Sequence, residues 1–267
     1  EISAKVAAEV LLHTRNTWVA PLPVRSIISQ HHFLVCSKEG IVRAIQFEPA
    51  RSGVKLIEFP LLPTSIISVH SISDAAVGFC LDIDGSVWMT PIPTISFMHS
   101  KPKEPIKLEL PKITEISTGK RNAYFLGEDS TVWQWKAPYS SEQNSEVERI
   151  PLFGVKSIFS MRDSTFFLRN KGDIWVLGGC DFEYLSTNGS KELCQLIPES
   201  NVVSIVPSQY CIFLLDNGEV VSFKHRGSDT LKVEQLKNID WVWGSEFNYY
   251  LFRDTEARSF FCGKKYS

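Results

Sequence analysis

Glu115-Ile116-Ser117 … Ala123-Tyr124-Phe125-Leu126-Gly127-Glu128-Asp129-Ser130-Thr131-Val132-Trp133 is the stretch from which the rest of the chain can be read. Ile-Ser opens it. A short polar loop follows, then an apolar run, a turn and a second apolar run. The runs are rich in Val, Phe, Tyr and Trp, which suit pleated, part-buried strands. The same unit returns along the chain. One copy is Glu1-Ile2-Ser3 … Val10-Leu11-Leu12-His13-Thr14-Arg15-Asn16-Thr17-Trp18, and another is Ile28-Ser29 … Phe33-Leu34-Val35 … Glu39-Gly40-Ile41-Val42. Further copies centre on Asp84-Gly85, Lys171-Gly172, Asn217-Gly218 and Asp254-Thr255.

The turn position is therefore Asn16, Gly40, Gly85, Ser130, Gly172, Gly218 and Thr255, at intervals of 24, 45, 45, 42, 46 and 37 residues. Asp84-Gly85 and Asn217-Gly218 read as two-residue hairpin turns, which need positive φ. Asn16 tolerates that conformation. Ser130 and Thr255 suit it poorly, so a different or longer turn is expected at those two places.

Seven strand-rich copies at a period near 40 residues, without long helical periodicity, point to an all-β chain. A single copy cannot bury both faces of its small sheet, so copies must stack. The expected architecture is a seven-bladed β-propeller occupying residues 1–267 as a single domain. The first interval is too short for a full blade, so the first blade is expected to be reduced, with six blades as the alternative. A β-solenoid is the competing architecture, with shorter and more even repeats.

Composition agrees with a packed core. The chain has 267 residues, 43% of them hydrophobic, and a formal net charge of −2. That charge offers no broad basic surface for nucleic acid, so no direct nucleic-acid partner is expected. No apolar run approaches the roughly 18–20 residues of a membrane helix. Glu1-Ile2-Ser3 begins neither with Met nor with a basic segment and apolar run, which reads as a fragment of a longer chain without a visible secretory leader. Six cysteines are present, with no CxxC pair, and Cys36, Cys80 and Cys211 sit inside apolar runs. They are expected to be buried thiols in a reducing, intracellular setting, cytoplasmic or nuclear.

The repeat resembles that of the regulator of chromosome condensation family. There each unit runs Ile-Ser-x-Gly-x-x-His, an apolar strand, Asp-Gly-x-Val, an aromatic, then Trp-Gly and a loop. Ile116-Ser117-Thr118-Gly119-Lys120-Arg121-Asn122 follows the first part, with Asn in place of His. Asp84-Gly85-Ser86-Val87-Trp88 follows the second, and Trp135 falls at the later Trp. The family His is kept only as His32. Ala8, Val77, Asn122, Ser164, Tyr210 and Phe247 stand at the other equivalents.

The resemblance implies a regulator of a small GTPase, most simply a guanine-nucleotide exchange factor for Ran or a relative. It also implies that polar residues of the Gly-x-x-His loops face the partner. Carried over, that face comprises His31, His32, Asp74, Lys120, Arg121, Asn122, Arg162, Asp163, Gln209, Tyr210 and Glu246. His31, Asp163 and Glu246 stand just before the family His, where an acidic contact is placed in the family. The family exchange factor also carries a protruding wedge. Candidate insertions here are 90–110, 136–150 and 178–198, of which 140–148 is polar and acidic. Ordinary solvated loops are the plainer reading of both sets.

Other features carry less. The basic stretch His99-Ser100-Lys101-Pro102-Lys103-Glu104-Pro105-Ile106-Lys107 suits a phosphate or an acidic partner, or simply water. Trp88, Trp133 and Trp175 share one repeat position and read as blade packing. No metal is expected, because His31-His32 has no third ligand placed by sequence. No cofactor motif or covalent-catalysis signature is present. A monomer is expected. A non-catalytic interaction propeller, acting as scaffold, effector or inhibitor, is the alternative to a GTPase regulator.

Overall fold

Continuous apolar runs and alternating runs in this sequence become two different kinds of strand. The computed structural model describes residues 28–29, 32–36, 40–48, 53–58, 62–63, 65–72, 77–91, 104–137, 146–161, 164–178, 181–182, 185–186, 193–197, 201–206, 210–224, 236–244 and 249–263. Every regular element among them is a β-strand. The strands belong to two compact units, Glu1–Ser71 with Ala76–Leu110, and Ile72–Ala75 with Pro111–Ser267.

The first unit carries two four-stranded meanders. One is β1 (Ile28–Ser29), β2 (His32–Cys36), β3 (Val42–Glu48) and β4 (Gly53–Glu58). The other is β5 (Ile66–Ile72), β6 (Val77–Asp82), β7 (Val87–Pro91) and β8 (Ile106–Lys107). The second unit opens with β9 (Ile113–Thr118), β10 (Asn122–Gly127), β11 (Val132–Lys136) and β12 (Val147–Ile150). Next come β13 (Val155–Met161), β14 (Ser164–Arg169), β15 (Ile174–Gly178), β16 (Asp181–Phe182), β17 (Leu185–Ser186) and β18 (Cys194–Ile197). Here β18 closes the sheet against β15, and β16–β17 is a separate small hairpin inside the 178–198 insertion. Two further sheets are β19 (Val202–Val206), β20 (Tyr210–Leu215) and β21 (Val220–Lys224), then β22 (Ile239–Gly244), β23 (Tyr249–Asp254) and β24 (Ser259–Gly263). Six repeat sheets are thus seen among the described residues. The copy around Asn16, with its expected reduced blade, lies outside them.

In the second unit, β14 and β20, the second strands of their repeats, are buried on both faces because a sheet packs on each side. In β14, Phe166 and Leu168 join Val202, Ile205, Cys211 and Phe213 of the following sheet. The residue between them, Phe167, points the other way and joins Tyr124, Leu126 and Ile158. The period of two repeats in β20. Cys211 and Phe213 face one neighbour, while Ile212 and Leu214 face Ile239, Val242 and Phe252. In the first unit Cys36 and Val42 pack on Ile66, Val69 and Cys80. Phe166, Phe167 and Phe213 are 0% exposed, and each such burial is worth roughly 1.5–3 kcal/mol. First strands instead alternate, as in the buried-exposed-intermediate-buried start of β9.

The serine of the repeat has a structural duty. Ser117 Oγ accepts the backbone N–H of Ser160, 2.9 Å away on β13, so it ties the first strands of consecutive sheets.

The hairpin turns correct the sequence expectation. Asp82, Gly127, Arg169, Leu215 and Asp254 each donate a backbone N–H to the carbonyl four residues on, at 2.8–3.0 Å. Gly85, Ser130, Gly172, Gly218 and Ala257 each donate back to the carbonyl three residues earlier, at 2.9–3.0 Å. These are three-residue loops closed by a left-handed residue rather than two-residue turns. The closing φ is 83° at Gly85, 62° at Ser130, 78° at Gly172, 78° at Gly218 and 62° at Ala257. Ser130 therefore makes the same turn as the glycines. In the final repeat the turn residue is Ala257, two residues beyond Thr255.

Carboxylates impose the conformation. Asp254 Oδ1 accepts the N–H groups of Glu256 (3.0 Å) and Arg258 (2.8 Å). Asp82 Oδ1 does the same for Asp84 (3.0 Å) and Ser86 (2.8 Å). At Ser130 the work falls to Asp129, whose Oδ1 accepts Thr131 N–H at 3.1 Å and Thr131 Oγ1–H at 2.6 Å.

Candidate functional site

An antiparallel meander places the link between its first and second strands at one end and the following hairpin turn at the other. All the sequence-derived contact residues fall at the first kind of link, between β1 and β2, β5 and β6, β9 and β10, β13 and β14, β19 and β20, and β22 and β23. His31, Asp74, Arg162, Asp163, Gln209 and Glu246 lie outside the described residues. His32, Asn122 and Tyr210 each open the second strand of their sheet, as do Val77 and Ser164. The family His position is thus the first residue of that strand. In the last sheet that residue is Tyr249. The two-residue shift seen at Ala257 carries through, so Asn248 rather than Glu246 immediately precedes the strand.

The described loop is Gly119–Asn122. Gly119 N–H donates to Asn122 O at 2.9 Å, which tightens the turn. Lys120 is exposed, and Arg121 and Asn122 are half-buried. Ala137 N–H donates to Arg121 O at 2.8 Å, so the 136–150 insertion leaves its sheet beside this loop. At the same end Lys136 and Glu148 form an exposed ion pair. Such pairs contribute about 0–1 kcal/mol, so this one shapes the surface potential more than the stability. Residues 138–145 of the insertion lie outside the described set.

Below the loop, Tyr124 is buried and accepts a hydrogen bond at Oη from Gln134 Nε2 (3.0 Å). Burial pushes its hydroxyl above the usual tyrosine range, although hydrogen bonds from Thr165 and Asn122 work against that. The phenol therefore stays protonated.

The opposite end of the sheets is built differently. Trp88 Nε1–H donates to Asp82 Oδ2 (3.2 Å), Trp133 Nε1–H to Thr131 Oγ1 (3.3 Å) and Trp175 Nε1–H to Asp173 Oδ2 (2.9 Å). These indoles brace the hairpin turns. Lys107, from the basic stretch, sits over the Trp88 ring at 5.8 Å from its centroid. Asp254 is nearly fully buried. Burial alone would raise its carboxyl, but the Arg258 guanidinium at 2.7 Å and two backbone N–H groups hold it below the usual carboxylate range.

Cys36, Cys80, Cys194 and Cys211 are free thiols, with Cys80 and Cys211 fully buried. Burial, and then the neighbouring Cys36, push the Cys80 thiol far above its ordinary value. Among the described residues, no group of three or more His, Cys, Asp or Glu side chains is placed to hold a metal, and His31 lies outside them. No helix of the described residues is long and apolar enough to cross a membrane.

Small antiparallel meanders, packed sheet on sheet and turned by recurrent hairpins, are the blades of a β-propeller. Solved structures bear that out. Human WBSCR16 aligns with a TM-score of 0.66 at 11% identity, covering 91% of this chain and 78% of its own. Yeast RCC1 (Prp20), in its complex with Kap60, aligns with a TM-score of 0.55 at 14% identity over 82% of this chain and 63% of its own. Prp20p from Saccharomyces cerevisiae, whose binding to Gsp1p and histones is described with its structure, aligns at 0.52 and 15% identity over 74% and 57%. This chain thus spans about three fifths of the yeast protein's length in those alignments. No protein-family model matches the chain, and no curated protein matches it in sequence.

Proposed function

We propose that residues 1–267 act as a single protein-binding propeller domain, whose first-to-second-strand loops engage a small GTPase, Ran or a relative, and promote release of its nucleotide. The observation that carries this reading is the shared fold with Prp20p, a protein that binds Gsp1p. It is supported by the described members of the proposed face, His32, Lys120, Arg121, Asn122 and Tyr210, which lie at one kind of strand link.

The mechanism needs no covalent chemistry and no cofactor. A protein that binds the nucleotide-free GTPase more tightly than the loaded one lowers nucleotide affinity by the same factor. Lys120 and Arg121 offer positive charge to acidic groups of the partner. Asp163 offers an acidic contact, and Glu246 a second one set further from its strand. His31, His32, Asp74, Arg162, Gln209 and Tyr210 complete the proposed face, with Asn122 at its base. We take the partner to be a protein rather than nucleic acid. The working form is a monomer in the cytoplasm or nucleus.

The test is binding to immobilised GTPase in nucleotide-free and GDP-loaded forms. Preference for the nucleotide-free form, weakened at least tenfold by Asp163→Ala and less by Glu246→Ala in folded protein, supports the reading. Equal binding to both forms, or none, overturns it. A second reading is a non-catalytic interaction propeller. Asn122, Ser164 and Tyr210 at the family His position favour it. Capture of only non-GTPase proteins on the intact propeller would support that reading instead.

A further inference from the structure

The geometry points to Tyr124 and Thr165 as positioning residues that lock the Gly119–Asn122 loop to the neighbouring sheet, with Asn122, at the base of the proposed face, as part of that latch. The inference takes the loop face of the proposed function as the site being served, but the latch itself is observable without any partner.

Four polar side chains from two sheets meet where apolar packing would be expected. Tyr124 is 2% exposed, Gln134 4% and Thr165 2%. Buried polar groups persist only when their hydrogen bonds are made. The bonds link up across the two sheets. Gln134 Nε2–H donates to Tyr124 Oη at 3.0 Å. The Tyr124 hydroxyl is also hydrogen-bonded with Thr165. Thr165 Oγ1–H donates onward to Ser160 Oγ at 3.1 Å. Ser160 N–H returns to Ser117 Oγ at 2.9 Å, on the strand that leads into the loop. Asn122 joins at the Tyr124 hydroxyl, while its backbone carbonyl accepts the Gly119 N–H that closes the loop. The chain of bonds thus leaves one end of the loop through Asn122, crosses to the next sheet at Thr165, and comes back to the other end through Ser117. The Tyr124 and Phe167 rings meet edge-on at 5.7 Å between centroids, which sets the phenol's direction.

An alternative account is that each bond only stabilises its own strand. The two accounts differ in what happens at a distance. Thr165 lies on the neighbouring sheet and touches no residue of the loop directly in the chain of bonds above. Its hydroxyl should still control the loop.

The experiment is native-state hydrogen exchange of the peptide covering 116–124, read by mass spectrometry in the full 267-residue chain. Thr165→Val keeps the shape and removes the hydroxyl. Thr165→Ser keeps the hydroxyl. In Thr165→Val, exchange at the loop amides is expected to quicken about tenfold, the effect of losing one net hydrogen bond from a local opening. Thr165→Ser is expected to exchange at the wild-type rate within about twofold. Tyr124→Phe, which removes the central hydroxyl, should match Thr165→Val. Wild-type exchange in Thr165→Val, or equal acceleration in Thr165→Ser, overturns the latch. Neither result depends on GTPase binding, so failure of the latch and failure of the functional reading are separately visible.

Discussion

Gly218 and Gly154 both have left-handed φ, yet alanine should be tolerated at one and not the other. Gly218 has φ 78° and Gly154 φ 69°. A side chain in that region costs roughly 1–2 kcal/mol. Restricting the unfolded chain returns about 0.4–1 kcal/mol. For Gly154→Ala that is the whole account, because a Cβ there meets nothing within 4 Å. The net cost should be about 0.5 kcal/mol.

At Gly218 the same Cβ would lie 2.9 Å from Asn238 Cα, 3.1 Å from Ile239 N and 3.2 Å from Asn238 C. All three are backbone atoms of the link into the next sheet, so relief requires moving a strand. Such overpacking costs about 1–3 kcal/mol. It also strains the bond from Ile239 N–H to Gly218 O, now 3.0 Å. Gly218→Ala should therefore cost about 3 kcal/mol. In a chain of this size, that lowers the thermal midpoint by about 6–12 °C, against about 1–2 °C for Gly154→Ala. Differential scanning calorimetry on the two variants reads the difference directly. Equal shifts would refute the claim that close sheet-to-sheet approach, rather than the backbone angle, makes glycine necessary at 218.

Other outcomes follow from the same contacts. Ala257→Gly removes a left-handed side chain from the last turn, so urea unfolding should show a gain of up to about 1 kcal/mol. A loss of more than that would mean the turn residue is misassigned. Asp254 has its carboxyl held below the ordinary range in the folded state. Its contribution is therefore present above pH about 4, the unfolded value, and fades as pH falls through the folded one. Asp254→Asn should melt below wild type at pH 7, with the gap closing in acid. A gap independent of pH would contradict this sign. Cys80 and Cys211 are 0% exposed, and Cys80 resists ionisation. Neither should react with a thiol reagent at pH 8 until the protein unfolds, and rapid labelling of either in folded protein would show the packing to be wrong.

Much of this fold is legible in one dimension because its signals are local. An apolar run between turn residues needs no partner to be recognised, and β6, β10, β14 and β20 lie where those runs predict. Gly85, Gly172 and Gly218 mark turns because glycine is the cheapest residue at positive φ. Ser130 and Ala257 escape that rule. Carboxylates of Asp129 and Asp254 hold their turns, and a hydrogen bond to a backbone N–H leaves no signature in residue spacing.

The single unpaired residues that bulge from the first strands are equally hidden. The register skips Thr114, Lys156, Val203 and Asp240, each exposed, at the same repeat position but with unrelated chemistry. In the candidate site, it was the family resemblance that pointed to the loop containing Lys120 and Arg121. It missed the second duty of Asn122, because the Tyr124 hydroxyl and Thr165 come together only once two sheets pack. The one available cue was a tyrosine in an otherwise apolar second strand.

The most direct measurement is release of fluorescent GDP from a panel of purified small GTPases, Ran included, with this protein at stoichiometric and catalytic amounts. The account predicts accelerated release from one GTPase at catalytic amounts, and loss of that acceleration in Asp163→Ala. Unchanged release from every GTPase by protein that melts cooperatively would contradict it.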